Sequence, residues 1–187
     1  VRVVATDTFL ADPQELANWL GVPANDVRLL SALRSASRRF RGAVGHVVDL
    51  VEDDEIVLDG NGRDSLLLPV WPTTAVASVA LDGGELVEGT DYAWSEAGIL
   101  RRLGCQVWPD KLRCLEVTYS HGWAVIPTDI SDAVIDQART TYRVEPGIQS
   151  QAVGGQSVTF AANAATGVTE QWTATVQRHR VQTGSDA

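Results

Sequence analysis

At 187 residues, with 44% hydrophobic and 21% charged side chains, the chain has the make-up of one folded domain with extensions, not of a disordered polymer. A net charge of −9 and a pI near 4.7 exclude a protein that coats nucleic acid over its whole surface, because neutralising phosphates needs clustered cations. No apolar run approaches the ~20 residues that span a bilayer, and the N-terminal residues lack a signal peptide's apolar centre, so a soluble intracellular protein is the expectation.

In chain order, Asp12-Pro13-Gln14-Glu15-Leu16 is a helix start: Asp12 caps, Pro13 suits the first helical position and Glu15 sits where a capping box closes. The helix should stop at Gly21, with Leu16, Trp19 and Leu20 as its apolar stripe. A second helix starts at Asn25 or Asp26 and runs to about Gly42, with Val27, Leu30, Leu33, Ser37 and Phe40 at three- and four-residue spacing. Arg34, Arg38 and Arg41 share a line on it at i, i+4 and i+7, while Arg39 lies off that line. Such a line is either a solvated, ion-paired face or a contact for another subunit or for DNA.

The period then changes. Residues 55–58 and 65–68 are short apolar runs flanking Asp59-Gly-Asn-Gly-Arg-Asp64, a pattern that predicts a hairpin. Thr74 to Leu81 is a strand, Asp82-Gly83 turns it back into 85–88, and Tyr92–Trp94, Ile99–Arg102 and Leu112–Ser120 are further strands. If residues 105–114 fold as a hairpin at Pro109-Asp110, Cys105 and Cys114 fall opposite each other, although a reducing cytosol favours free thiols. After Ile126-Pro127 a helix resumes, capped at Thr128 or Asp129, with Ile130, Ala133, Val134, Ala138 and Tyr142 on its face. Residues 147–167 are small and polar, too poor in apolar surface for a core of their own, and Ser157 to Ala161 alternates like a strand awaiting a partner. A last helix is expected from Val168 to Arg180, on Trp172 and Val176, with 181–187 a disordered tail.

The expected fold class is thus α+β, mainly helical. Residues 8–49 and 124–146 make a helical core, 50–123 a β-rich insertion, 147–167 an extended arm and 168–180 a C-terminal helix, all within one domain spanning 1–187.

Catalytic spacing is lacking. His46, His121 and His179 stand far apart, and His121, in Tyr119-Ser-His-Gly, is expected to be a packed or hydrogen-bonded residue at a strand end. Neither Gly83-Gly84 nor Gly154-Gly155 is followed by the Lys-Ser/Thr of a phosphate loop. The Asp59–Asp64 stretch has the outline of a calcium loop, but Arg63 sits where an oxygen ligand is needed and no Glu closes it. No enzyme, cofactor or metal site is expected.

Four stretches in order carry a family resemblance: Ala11–Gly21 with Leu30–Ser37; Leu68-Pro-Val-Trp-Pro72 with Val76–Gly83; Val117–Gly122 with Ile126-Pro127; and Ser150–Phe160. Together the sequence resembles the head–tail connector, or head-completion adaptor, family of tailed bacteriophages. The resemblance implies a bundle of about four helices with a β insertion between the second and third. It also implies a homo-oligomeric ring, dodecameric in related phages, seated at the virion neck beneath the portal protein after assembly in the host cytoplasm. Such a ring offers a platform to the stopper or tail-completion protein. It continues the channel for genomic DNA without reading its sequence, needs no cofactor and touches no membrane.

Residues Gly154, Gly155, Gln156, Ser157, Val158, Thr159 and Phe160 resemble the family's portal-binding arm. The extended hairpin expected around 55–68 is longer than in many relatives. Two other readings stay open: a neck stopper or tail-terminator protein, which would be centred on a β-barrel, and a DNA-binding module using Arg34, Arg38 and Arg41.

Overall fold

A computed structural model describes residues 8–143, 150–153, 156–159 and 169–180. Among these, residues 46–125 form one compact unit, and residues 8–45 and those from 126 onward form a second.

The second unit is helical. Helix α1 (Pro13–Leu20) is capped by Asp12, whose carboxylate accepts from the Gln14 N–H at 2.8 Å, and closes at Gly21. Helix α2 (Val27–Val44) is capped by Asp26, which accepts from the Leu29 N–H at 2.8 Å, and ends at Gly45. Helix α3 spans Thr128–Arg143 and helix α4 spans Glu170–His179, the latter capped by Thr169. Each cap satisfies one backbone N–H that the first helical turn leaves without a partner.

The buried face of α2 is Leu29, Ala32, Leu33, Ala36, Ser37, Phe40 and Val44, which packs with Ile130, Ala133, Val134 and Ala138 of α3 and Leu16 of α1. Two stripe residues expected from spacing face outward instead: Trp19 is 61% exposed and Val27 82%. Each lies at or next to a helix end, where periodicity no longer implies full cover. Ser37 holds the entering chain: its hydroxyl donates to the Leu33 carbonyl at 2.8 Å and accepts from the Leu10 N–H at 3.1 Å. Trp172 of α4 meets Phe40 edge-on, with centroids 5.4 Å apart.

The unit of residues 46–125 is all β and is inserted between α2 and α3. Strands β1 (Val51–Leu58), β3 (Thr73–Leu81), β4 (Gly84–Glu85) and β7 (Leu115–His121) form an antiparallel sheet in the order β1-β7-β3-β4. Strands β2 (Ser65–Leu67), β5 (Tyr92–Trp94) and β6 (Ile99–Arg102) form another, ordered β2-β6-β5. Alternation on β7 sends Leu115, Val117, Tyr119 and His121 inward. Leu115, Val117 and Tyr119 join Leu66, Leu68, Val76, Val79, Tyr92, Leu100 and Trp108, contributed by both sheets and by the loops beside them, in one apolar core. Asp82 and Gly83, both at positive φ (50° and 81°), make the tight turn between β3 and β4, a geometry suited to the twist of a two-residue hairpin.

The fold is therefore α+β, with four helices among the described residues and the β region between the second and third. Local pairings differ from the sequence-based expectation in several places. Residues 59–64 do not close a hairpin, since β1 pairs with β7 and β2 with β6. Their backbone groups bond elsewhere: the Gly60 and Gly62 N–H groups donate to the carbonyls of Lys111 and Trp108, both at 2.9 Å, and the Trp108 N–H to Arg63 at 2.8 Å. The stretch thus carries the chain from one sheet to the other. Residues 105–114 are a loop, not a hairpin, and both cysteines are free, Cys105 exposed and Cys114 buried. The strand expected at 85–88 ends at Glu85, and the strand expected from Leu112 starts at Leu115.

Strand β8 (Ser150–Val153) pairs antiparallel with β9 (Gln156–Thr159), so the strand expected to await a partner has one within the chain. Ser150 and Thr159 are opposite each other, as are Val153 and Gln156.

Candidate interaction surfaces

The arginine line on α2 has an internal task. The Arg41 guanidinium donates to the Thr8 carbonyl at 2.9 Å and to the Thr8 hydroxyl at 3.1 Å, while Arg34 stands over the Phe9 ring with Cζ 5.6 Å from its centroid. Both thereby hold the segment that leads into α1. Arg34, Arg38 and Arg39 are exposed and Arg41 half-buried. Residues 27–44 contain five arginines and no acid.

Two further arginines stack on aromatic rings of the same unit. Arg139 lies over Trp19 at 4.7 Å and Arg28 over Tyr142 at 5.0 Å. Beside the second pair, Val27, Arg28, Ser31, Ala32, Ser35, Thr141 and Tyr142 line an open groove of about 470 Å³ between α2 and α3. Spacing could not reveal either pair, because each joins residues more than a hundred positions apart. Guanidinium and ring attract through the ring's quadrupole.

Two carboxylate–histidine contacts hold elements together. Asp129, in the first turn of α3, receives Arg178 at 3.0 Å and His179 Nε2 at 2.9 Å from the end of α4. Burial would raise its pKa, but the hydrogen bonds and charge of His179, with the bonds from Arg178 and the Ile130 N–H, bring it below the usual carboxylate value. In the β unit, His121 is 1% exposed and its Nε2 lies 3.2 Å from Asp54 Oδ2 on β1. Burial pushes its pKa down; the bond and charge of Asp54 oppose this, nearby His46 adds to it, and the net shift is downward. His121 is thus a packed strand-end residue tying β7 to β1. The described residues contain no group of three or more His, Cys, Asp or Glu able to hold a metal ion, and no helix long and apolar enough to cross a membrane.

Of the arm residues singled out in the sequence, Gln156, Ser157, Val158 and Thr159 form β9, whereas Gly154, Gly155 and Phe160 lie outside the described residues.

Charge divides sharply between the two units. Residues 46–125 hold fourteen Asp and Glu against five Lys and Arg, a net of −9, while residues 6–45 and 126–180 hold nine of each. The acidic excess of the chain therefore belongs to the β unit.

The head completion protein family matches residues 12–181, which is nearly the whole chain and takes in both units. The chain belongs to the head completion protein family. No curated protein matches it. Among solved structures, this head completion protein is similar to a chain in the neck of a native GTA particle computed with C12 symmetry. The TM-score is 0.56 at 20% identity, covering 96% of this chain and 93% of that one. A chain of the virion of a native gene transfer agent particle aligns at TM-score 0.57 and 18% identity, covering 96% and 94%. A chain from the neck of an empty GTA particle, computed with C6 symmetry, gives 0.55 and 19%, covering 91% and 89%. At such identities the likeness establishes a shared fold.

Proposed function

We propose that this head completion protein is a structural adaptor at the neck of a phage or phage-like virion. Copies assemble into a ring beneath the portal protein, extend the channel through which genomic DNA passes, and offer the platform on which the stopper or tail-completion protein docks. The reading assigns it no catalysis and no cofactor. What carries it is the family match over residues 12–181, together with a fold shared along nearly the full length with chains from GTA necks. The C12 and C6 symmetries of those neck reconstructions support a ring, and twelve copies is the expected number. A helical unit of four helices also suits the adaptor better than a stopper or tail terminator, for which a β-barrel centre is expected.

In this reading the segment from Gly154 to Phe160 is the portal-binding arm, adding backbone hydrogen bonds to a partner's sheet edge. The β8–β9 pairing requires that the arm either docks as a hairpin or exchanges its internal partner for the portal. The test is a reconstruction of the neck of intact particles. The expected result places a ring of this chain directly beneath the portal; a position in the capsid shell or along the tail tube overturns the proposal.

A further inference from the structure

We propose that Arg102 is the floor of an oxyanion site in the β unit, shaped to take a carboxylate. The inference stands apart from the adaptor reading and uses residues 46–125 alone.

The site begins with a break in the strand pattern. Strand β6 reads Ile-Leu-Arg-Arg, and alternation must send its two arginines to opposite faces. Arg101 points outward and pairs with Asp64 at 3.0 Å. Arg102 takes the inward place that Leu100 takes two residues earlier, and it is 8% exposed. A guanidinium cannot shed its charge in a protein, so this burial takes a permanent cation out of water.

The surroundings do not compensate that charge. The guanidinium lies over the buried Trp108 ring with Cζ 5.4 Å from the centroid, and Nη2 donates to the side-chain oxygen of Gln106, a neutral partner. Nε and Nη1 are buried with no acceptor among the described residues. Acids on the neighbouring segments are engaged elsewhere. Asp64 receives Arg101 and the Ser65 hydroxyl, Asp91 receives the Val87 N–H, and Glu88 receives the Trp94 indole N–H. A planar fork with two idle nitrogens matches the two oxygens of a carboxylate.

Access comes through Gln106. Gly104 and Cys105, at φ 68° and 59°, turn the chain back from β6, and the Gln106 N–H donates to the Leu103 carbonyl at 3.4 Å. The turn sets the Gln106 amide against Arg102 while leaving the residue exposed. Rotation of that one exposed side chain lets a carboxylate oxygen take the place of the amide oxygen, exchanging a neutral acceptor for a charged one. A buried ion pair is favourable only when its remaining donors are also bonded, and the second carboxylate oxygen supplies that bond. The carboxylate comes either from a small anion in solution or from an Asp or Glu side chain of a second copy.

The test follows the Nε–Hε signal of Arg102 by NMR in the full chain, titrated with sodium acetate against sodium chloride at constant ionic strength. The expected result is a saturable shift with acetate and none with chloride. Gln106→Ala should bind acetate at least about threefold more tightly, because the competing amide is gone. Gln106→Glu supplies the carboxylate from within the chain, so it should raise the thermal midpoint by about 2–4 °C and abolish the acetate response. Arg101→Gln, which removes the outward arginine of the same strand, should keep the response.

Sedimentation velocity of the full chain reads the source. Association that weakens both in acetate and in Gln106→Glu assigns the carboxylate to a second copy; any other pattern assigns it to a free anion. An Arg102 signal indifferent to acetate overturns the inference. So does a Gln106→Ala variant that binds acetate no better, a Gln106→Glu midpoint at or below the wild-type value, or a response lost in Arg101→Gln.

Discussion

His121 illustrates how burial, not partner charge, sets the chemistry of a single side chain in this protein. It lies 3.2 Å from a carboxylate, yet its folded pKa falls below the ordinary value of 6.5, so at neutral pH the contact is a hydrogen bond from a neutral ring. Its Nδ1 is buried without a partner, and protonation would place an N–H there with nothing to accept it. The unfolded chain therefore takes up the proton first as pH falls. The stability from neutral His121 is complete above about pH 6.5 and is lost as pH drops through the folded pKa.

His121→Gln should accordingly be less stable than wild type at about pH 7, with the gap narrowing toward about pH 5 in thermal melts; a constant gap would refute the linkage. Asp129 gives the corresponding acid-range case. Its folded pKa lies below the ordinary 3.8, so its contribution is present above that value and lost as pH falls beneath it. Asp129→Asn is expected to cost about 1–2 kcal/mol in urea denaturation at neutral pH, and the deficit should close in strong acid.

At the scale of elements, the last helix is held by an aromatic contact as well as by the bonds from Arg178 and His179 to Asp129. Helix α4 offers Trp172, Thr175 and His179 as its buried residues, and Trp172 lies edge-on to Phe40 of α2. Replacing Trp172 by Ala should destabilise the helical unit by about 3–5 kcal/mol, the usual cost of deleting a buried tryptophan. Loss of α4 amide protection in hydrogen exchange would accompany it; unchanged protection would show that Asp129 alone anchors the helix.

In the β unit one tight point is Gly122, just past β7, at φ +89°. A Cβ there would collide with the Asp49 carbonyl, which is backbone and cannot swing aside. The Gly122 N–H also donates to the Pro72 carbonyl at 2.9 Å. Gly122→Ala should therefore cost about 2–3 kcal/mol by combining a disallowed φ with a clash, read as a lower midpoint in urea.

For the whole molecule, the arm gives the most direct prediction. Deleting residues 150–165 removes both β8 and β9 and the whole of the proposed portal-binding segment without touching the described core of either unit. Particles carrying that deletion should accumulate DNA-filled heads without tails, counted by electron microscopy. Normal tailed particles would remove the arm from the mechanism. The division of charge works at the same scale, since a neutral helical unit and a strongly acidic β unit in one chain supply two unlike surfaces.

The starts of α1 and α2 were legible from sequence because capping is local: Asp12 and Asp26 stand within three residues of the backbone N–H groups they accept from, whereas Thr128 is already the first residue of α3. The alternation of β7 and the Asp82-Gly83 turn were legible for the same reason. Three kinds of feature were not. Trp19 and Val27 fit the helical period but lie at or next to helix ends, where they stay largely exposed. Residues 59–64 have hairpin composition, yet their backbone bonds go to the loop at 108–111, some fifty positions away. The stacking of Arg139 on Trp19 and of Arg28 on Tyr142 joins distant parts of the chain and leaves no periodic trace.

By itself the sequence determined the class of fold, the order of helical and β regions, the family and the lack of catalytic spacing. All of these follow from short-range patterns or from motifs in order. Only the tertiary structure decided which strands pair, which apolar residues are covered, which arginines hold the chain's own Thr8–Phe9 segment, and that the acidic excess lies in one unit. Those outcomes depend on which distant segments share a core, and that choice is made by the summed burial of both partners, which no single stretch of sequence contains.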